Sequence, residues 1–216
     1  VEEIIAFFTK HRNAAAEAGI RINQMHMPYP IFVPSAAKEV NDYLLNQVAI
    51  KSMEVCHFLK CPYIVIHGYK LARYLGSEEL EWERTAAFLD KILPPAERYG
   101  AEVLGFCFDT GHANLVGIDF EKFLIALGNR LKVLHLHDND GRADLHQLPY
   151  TFTRTRENTA STDWEGLIRG LKAISFEGTL SFETAPVLTS FPDFMKQDVL
   201  TLIAAIGRGW KQEIER

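Results

Sequence analysis

The residues of this sequence that could do metal chemistry are histidines and carboxylates, and they recur at the ends of predicted strands. Six of the eight histidines lie there or in the loops that follow, namely His26, His67, His112, His135, His137 and His146. Carboxylates lie at equivalent positions, namely Asp109, Asp138, Asp144 and Glu183. Each histidine alone is more often structural than a ligand, but imidazole and carboxylate together suit zinc, manganese and similar divalent ions. The pattern therefore predicts a metal site.

One local pattern is Phe-Asp-Thr-Gly-His at residues 108–112. It ends a predicted strand and places Asp109 and His112 three residues apart across a glycine turn. Both side chains could then converge on one site. The alternative interpretation is that Asp109 caps the helix that follows it, a position at which aspartate is common.

A second pattern, His-Leu-His-Asp-Asn-Asp-Gly at residues 135–141, is followed by Asp-Leu-His at residues 144–146. Side chains alternate along a strand, so His135 and His137 are expected on the same side. Asp144 and His146 are expected to do likewise if that stretch is extended. The alternative is a turn rich in Asp, Asn and Gly in which the histidines are incidental.

The third pattern, Phe-Glu-Thr-Ala-Pro at residues 182–186, closes the last predicted strand. A glutamate that is buried at a strand end needs a partner that offsets the loss of hydration. A metal ion is one such partner, and Glu183 is therefore a further candidate ligand.

The elements that must position these side chains alternate between helix and strand. Hydrophobic periodicity predicts helices over residues 2–19, 38–59, 78–99, 120–127, 163–173 and 193–208. Strands are predicted over residues 22–27, 61–67, 105–110, 133–137 and 179–184. Such alternation indicates βαβ units and a mostly parallel sheet. The catalytic face of a (β/α) barrel lies at the carboxyl ends of its strands, although an open doubly wound sheet places sites there too.

Composition narrows the class of protein. The 216 residues are 47% hydrophobic and 24% charged with a net charge of −5, which is ordinary for a globular domain. That charge argues against a protein that binds nucleic acid mainly by neutralising phosphates, and Arg154 and Arg156 are the local basic candidates. No stretch approaches the roughly 20 apolar residues of a membrane span.

Location is predicted from the start of the chain and from its cysteines. Val1 opens directly into helical periodicity, so no signal peptide is expected. The odd number of cysteines, Cys56, Cys61 and Cys107, has no paired spacing and favours a reduced cytoplasmic protein.

The motifs together, in their order and spacing over nearly the whole chain, resemble the xylose isomerase-like TIM-barrel superfamily. That superfamily contains sugar-phosphate isomerases and epimerases, and also endonuclease IV-type nucleases that act at abasic sites. The resemblance implies one (β/α)8 TIM-barrel domain over residues 1–216. Its epimerases hold one divalent ion through Glu, Asp, His and Glu from four strands, and by position Asp109, His135 and Glu183 match three of those ligands. Its nucleases bind three zinc ions, and there the matches extend to His26, His67, His112, Asp144 and His146.

The chain departs from the family pattern at one point. The family has a strand that bears the remaining glutamate, and its place is between Gly100 and Ala101, which are adjacent here. The first two barrel strands also have no counterpart before Val1. We therefore expect that strands of the barrel are missing from this chain and that the full protein is longer. The metal site would then lack one ligand, which is also one of two acid/base carboxylates.

The resemblance implies isomerisation or epimerisation of a small sugar or sugar phosphate. A divalent ion (Zn, Mn, Mg or Co) would stabilise an enediolate as a Lewis acid. Glu183 would be both ligand and general base, and His112 would be the second catalytic residue. His112, His137 and Arg142 are predicted to contact the substrate. Neither nucleic acid nor a membrane is an expected partner.

Three further possibilities stay open. One is an abasic-site endonuclease in which metal-bound hydroxide attacks a phosphodiester. Another is a barrel that binds sugar without catalysis, which is favoured if the glutamate strand is truly absent. A homo-oligomer is also possible, because Trp82 and Trp210 could lie at a subunit contact, although packing of helices on the barrel explains them equally well.

Overall fold

The computed structural model describes residues 2–33, 35–67, 76–152 and 162–216. The chain divides into two compact units, Val1–Leu104 and Gly105–Arg216, called here the first and the second unit. Arg154 and Arg156 lie outside the described residues. The expectation of a single domain over residues 1–216 stays a prediction.

The first unit alternates helices with short strands. Its elements are α1 (Glu2–Glu17), β1 (Gln24–His26), α2 (Lys38–Tyr43), a π-helical segment (Leu44–Ala49), α3 (Ile50–Phe58), β2 (Tyr63–Val65) and α4 (Glu78–Arg98). Ser77 begins α4, because its side chain accepts a hydrogen bond from the Leu80 backbone N–H. Glu78, Glu79 and Glu81 in the first turn of that helix complement its dipole.

The two strands of the first unit are parallel neighbours, with Gln24 paired to Tyr63 and His26 to Val65. Apolar side chains from the helices cover this pair. The cluster of buried residues is Met27, Ile31, Ala49, Met53, Phe88 and Ile92. The carboxyl ends of β1 and β2 therefore lie side by side, which brings His26 and His67 to the same edge.

The second unit has the same alternation and a larger core. Its elements are β3 (Phe106–Asp109), α5 (Thr110–Leu115), α6 (Phe120–Leu127), a 3-10 turn (Gly128–Arg130), β4 (Leu131–His135), α7 (Trp164–Ala173), α8 (Ala185–Ser190) and α9 (Asp193–Glu215). Aspartates begin three of these helices, because the side chains of Asp109, Asp119 and Asp163 accept backbone N–H groups at the starts of α5, α6 and α7.

Parallel pairing in the second unit brings three chain segments to one edge. Strands β3 and β4 are parallel, and Asp109 pairs directly with His135. One residue beyond β4, Leu136 forms a parallel bridge with Phe182, which places Glu183 beside the end of β4. The core beneath is built from buried residues such as Phe120, Leu124 and Leu167.

Three of the predicted elements differ in the structure, and the short helices α5 and α8 were not among the predicted ones. The helix predicted over residues 38–59 is interrupted by the π-helical segment Leu44–Ala49. The strand predicted over residues 179–184 is reduced to the bridge at Phe182. The last helix runs to Glu215 rather than ending near residue 208.

Two tryptophans that the sequence left open have different environments. Trp210 is 4% exposed, and its indole N–H donates to the Tyr150 hydroxyl. It therefore packs within the second unit, whereas Trp82 is 70% exposed. Among the described residues, no helix is long and apolar enough to cross a membrane.

Candidate functional site

Asp109 is the central carboxylate of the site, and it has two roles. Its Oδ1 accepts a hydrogen bond of 2.8 Å from the His112 backbone N–H, so the capping interpretation is correct. The same oxygen lies 3.0 Å from His137 Nε2, and Oδ2 lies 3.8 Å from His135 Nδ1. Capping orients the carboxylate at the end of β3 and leaves both its oxygens facing imidazoles.

Two imidazoles connect Asp109 to the other carboxylates of the site. His112 Nδ1 lies 3.4 Å from Asp109 Oδ2, and its Nε2 lies 3.3 Å from Asp144 Oδ2. His135 Nδ1 lies 3.1 Å from Glu183 Oε2 as well as near Asp109. Each of these rings therefore lies between two carboxylates.

The other two imidazoles complete the same arrangement. His137 Nε2 faces Asp109 and lies 3.9 Å from Asp144 Oδ1. His146 Nε2 lies 3.2 Å from Asp144 Oδ2, and its Nδ1 lies 3.0 Å from the backbone carbonyl oxygen of Glu183. The rings of His137 and His146 stack with centroids 3.9 Å apart. We call these seven residues the carboxylate–imidazole cluster: Asp109, His112, His135, His137, Asp144, His146 and Glu183.

The Thr-Gly pair between Asp109 and His112 positions His137. Thr110 is fully buried, and its hydroxyl donates to the His137 carbonyl (2.7 Å) and accepts from the His137 backbone N–H (2.9 Å). A Cβ on Gly111 would overlap the His137 ring, so only glycine lets the ring lie against this turn. The two residues therefore fix the backbone and the ring of His137.

The loop after β4 is held by two buried polar residues that the sequence did not single out for this role. Asn139 donates to the Gly111 carbonyl at 2.9 Å and accepts from the Gly141 backbone N–H at 2.9 Å. Asp138 accepts from the Thr162 hydroxyl at 2.6 Å and from the Phe152 backbone N–H at 3.1 Å. Asp138 thus faces its own loop rather than the cluster, and the segment does form a turn rich in Asp, Asn and Gly.

The protonation states follow from burial and hydrogen bonding. Burial alone would raise the pKa of Asp109, but hydrogen bonds from His137 and from the His112 backbone outweigh it and hold that pKa below its usual value. Burial is likewise outweighed at Glu183, where the contact with His135 lowers the pKa. The pKa of His146 is raised, since contacts with Glu183 and Asp144 outweigh its burial. Asp109 and Glu183 are therefore ionised at neutral pH.

The donor set of the cluster fits a divalent cation. Asp109, His137 and Glu183 each offer a ligand atom within 4.8 Å of the others, and so do His137, Asp144 and His146. Donors at 2.0–2.2 Å from a tetrahedral ion are about 3.3–3.6 Å apart, and the contacts of 3.1 Å to 3.4 Å at His135 and His112 are close to that spacing. His137 Nδ1 is buried without a hydrogen-bond partner among the described residues.

The structure brings together seven of the predicted site residues within the second unit. Arg142 is exposed in the loop after β4. His26 and His67 are in the first unit, where their ring centroids lie 4.9 Å apart and the Tyr29 ring lies 4.8 Å from His67. The condition stated for Asp144 and His146 is not met, because His146 has φ +48° and is not extended, yet its ring still reaches Asp144.

Comparison with known proteins gives a family match over part of the chain. Residues 100–199 match the model of a family described as xylose isomerase-like TIM barrel. A curated relative, the uncharacterised protein y4fM of Sinorhizobium fredii, is 32% identical over 87 residues, which are 40% of this chain. The matched stretch spans only 25% of that relative's length.

Solved structures with the same fold cover most of the chain. The 3-keto-D-glucoside 4-epimerase YcjR from E. coli aligns over 93% of this chain and 85% of its own, with a TM-score of 0.63 and 14% identity. An L-ribulose 3-epimerase aligns over 95% and 82%, with a TM-score of 0.61 and 14% identity. The D-allulose 3-epimerase from Methylomonas sp., solved with D-allulose, aligns over 77% and 65%, with a TM-score of 0.56 and 14% identity. The expected TIM-barrel fold class is thereby confirmed.

Proposed function

Because residues 100–199 match the model of the xylose isomerase-like TIM-barrel family, we propose that the protein isomerises or epimerises a small sugar or sugar phosphate with the aid of a divalent metal ion. The observation that carries this proposal is the carboxylate–imidazole cluster at the strand ends of the second unit. The sugar epimerases among the solved structures of the same fold support the choice of substrate class.

Asp109 and Glu183 are the residues we assign to the ion, together with His135 and His137. Both carboxylates are ionised at neutral pH, and each contacts an imidazole nitrogen at about hydrogen-bond distance. A divalent ion bound there would act as a Lewis acid and polarise a carbonyl oxygen of the substrate. The family resemblance favours His135 as a ligand. The burial of His137 and the spacing of its nitrogen from Asp109 and Glu183 favour His137 as a further ligand.

Proton transfer is assigned to the carboxylates of the cluster. Glu183 removes the proton from the carbon next to the substrate carbonyl, since its carboxylate is only half-buried and is ionised. Epimerisation needs a second group that returns a proton. In the family pattern a glutamate-bearing strand supplies it, but at the place of that strand Gly100 and Ala101 are adjacent in this sequence. We assign that role to Asp144, whose side chain is 38% exposed against 13% for Asp109.

Substrate positioning is assigned to groups around the rim of the cluster. The His112 side chain is 44% exposed, and it holds both Asp109 and Asp144, so it can orient a substrate hydroxyl beside them. Arg142 is exposed on the loop after β4, where a guanidinium can meet a terminal hydroxyl or phosphate. A sugar phosphate would use this residue more than a free sugar would.

Solvent-deuterium exchange tests the proposed activity. The full chain is incubated with Mn²⁺ or Co²⁺ in ²H₂O with a panel of ketopentoses, ketohexoses and their phosphates, and NMR follows the carbon next to the carbonyl. We expect metal-dependent deuterium incorporation into at least one sugar, and loss of that signal in Asp109→Asn. The matched control is Asp119→Asn, which loses a capping carboxylate of α6 outside the cluster. Absence of exchange with every sugar, in protein that holds the ion, would overturn the proposal.

An abasic-site endonuclease is the second candidate, and one observation favours it. His137, Asp144 and His146 form a second group that could hold an ion beside the group at Asp109 and Glu183. The nucleases of the family use several zinc ions, and two adjacent groups are closer to that arrangement than to a single site. The net charge of −5 argues against it. Incision of duplex DNA that carries one abasic site decides between the two candidates.

A further inference from the structure

The turn between α3 and β2 places two cysteines against each other. Lys60 has φ +53°, and the backbone N–H of Lys60 donates to the His57 carbonyl at 3.0 Å. The next residue, Cys61, donates its backbone N–H to the Cys56 carbonyl at 3.1 Å. These two bonds define a Schellman motif, in which the residue after the left-handed position contacts the residue five positions earlier. Here both of those contacting residues are cysteines.

The two thiols converge on one carbonyl oxygen. Cys61 Sγ lies 3.3 Å from the Tyr63 carbonyl oxygen, and Cys56 Sγ lies 3.8 Å from the same oxygen. Cys56 is buried at 7% exposure, whereas Cys61 is partly accessible. The Cys61 thiol can therefore react with a reagent from solution, and the buried Cys56 thiol lies beside it.

We propose that Cys56 and Cys61 form a redox-active dithiol, which low-molecular-weight disulfides such as glutathione disulfide convert to an intramolecular disulfide. This site is separate from the carboxylate–imidazole cluster and does not depend on the proposed sugar chemistry. A disulfide needs Cα atoms within about 4.4–6.8 Å, and the backbone hydrogen bond from Cys61 to Cys56 holds the two residues together across the turn.

The reaction proceeds by two exchanges. The Cys61 thiolate attacks one sulfur of glutathione disulfide, the S–S bond breaks, and one glutathione leaves as a thiolate. Cys56 then gives up its proton and attacks the Cys61 sulfur, so the second glutathione leaves and the protein disulfide forms. Two protein thiols are oxidised and one glutathione disulfide is reduced to two molecules of glutathione.

The two thiols differ in pKa in the direction that this order of attack requires. The hydrogen bond from the Cys56 thiol to the Cys61 sulfur lowers the pKa of Cys61 to about 7, so a substantial part is thiolate at neutral pH. The same contact, with burial, raises the pKa of Cys56. Once the Cys61 sulfur carries glutathione it is no longer a thiolate, and the main cause of that raised pKa at Cys56 is removed.

The disulfide would join the last turn of α3 to the residue that leads into β2. It closes a short loop across a turn that is already formed, so the fold accepts it without rearrangement of the two elements. Cys107 is the third cysteine and belongs to β3 in the second unit, which makes Cys107→Ser the natural control.

The test treats the full chain with glutathione disulfide at neutral pH, alkylates the remaining thiols, and reads the products by intact mass and peptide mapping. Wild type and Cys107→Ser should lose two alkylatable thiols and retain no glutathione. Cys56→Ser should retain one glutathione on Cys61, and Cys61→Ser should react at Cys56 at least tenfold more slowly. Circular dichroism before and after treatment confirms that each variant is folded.

Either of two results would overturn the proposal. One is a wild-type protein that keeps a stable glutathione on Cys61, which would show that Cys56 does not resolve it. The other is a wild-type protein in which Cys56 and Cys61 both stay alkylatable after prolonged treatment. Reduction of the oxidised protein with dithiothreitol should restore both thiols, and a failure to do so would also contradict an intramolecular disulfide.

Discussion

The two units use strand-end histidines differently. In the first unit, the rings of His26 and His67 lie against each other and against Tyr29. In the second unit, every histidine of the carboxylate–imidazole cluster lies next to carboxylates, and Asp109 and Asp144 each contact three imidazole rings. Both sets stand at the carboxyl ends of parallel strands, so position within the fold is common to them. What marks the second unit is the contact of its strand-end histidines with carboxylates.

That difference indicates which of the two regions can hold a cation. Three carboxylates close together repel one another unless positive charge offsets them, and a divalent ion or protonated imidazoles can supply that charge. Alignment of a histidine with a strand end is therefore a weaker indication of a metal site than its contact with a carboxylate.

The largest expected effect is at Asp109. Asp109→Ala should lower the affinity for Mn²⁺ or Zn²⁺ by more than about 100-fold, above the 10–100-fold typical of residues that only orient ligands. Isothermal titration calorimetry on the full chain measures it. Asp119→Ala is the matched control, because Asp119 caps α6 through the Lys122 backbone N–H as Asp109 caps α5 through that of His112. Asp109→Ala should also lose about 0.5–2 kcal/mol of stability with its cap, and equal metal affinities in the two variants would remove Asp109 from the site.

Gly111→Ala should have the next largest effect, since its new Cβ would overlap the His137 ring. Overpacking of this kind costs about 1–3 kcal/mol, and displacement of His137 should also weaken metal binding. Thermal unfolding with and without metal gives both quantities. Gly209→Ala in α9 is the control, because a Cβ there meets nothing within 4 Å. If the two variants unfold alike, the close approach at Gly111 is not what positions His137.

Asn139→Ala should have an intermediate effect. Loss of the hydrogen bonds to the Gly111 carbonyl and the Gly141 N–H leaves buried groups unpaired, at about 1–3 kcal/mol. Metal affinity should fall by about 10–100-fold, because Asn139 supports the loop without contacting the ion. Asn129→Ala, at an exposed position, should change neither quantity. If Asn139→Ala binds metal with normal affinity but is less stable, Asn139 supports the fold and has no role in metal binding.

The smallest expected effect is at His26. His26→Ala should change the affinity for the first equivalent of metal by less than about twofold, since the groups assigned to that ion all belong to the carboxylate–imidazole cluster. The same titration measures it. A loss as large as that of Asp109→Ala would mean that His26 also holds an ion, as the nuclease alternative expects.

Sequence patterns predicted much of the second unit because its helix caps and strand-end patterns arise from residues that are close together in sequence. The Asp-Thr-Gly-His run predicted the approach of Asp109 to His112, with a helix cap as the alternative, and the structure has both features. Period-two alternation placed His135 and His137 on one side, and both reach Asp109. These relations depend on residues close in sequence or on regular strand geometry.

Other features depend on contacts that sequence periodicity does not contain. The left-handed backbone of His146 and the role of Asn139 follow from how the loop after β4 folds back on the Gly111 turn. Spacing of the cysteines suggested no pair, yet the positive φ of Lys60 brings Cys56 and Cys61 together. The backbone conformation of Lys60 in the turn therefore determines the contact between the two cysteines. The cytoplasmic location and the oligomeric state stay predictions.

The metal content of the purified full chain tests the central claim most directly. Wild-type protein and Asp109→Ala are loaded with excess Mn²⁺ or Zn²⁺, dialysed against metal-free buffer and measured by elemental analysis, with circular dichroism as the check on folding. The account predicts at least one divalent ion per wild-type chain and a clear loss in Asp109→Ala. Folded wild-type protein that retains no more metal than the variant would contradict it.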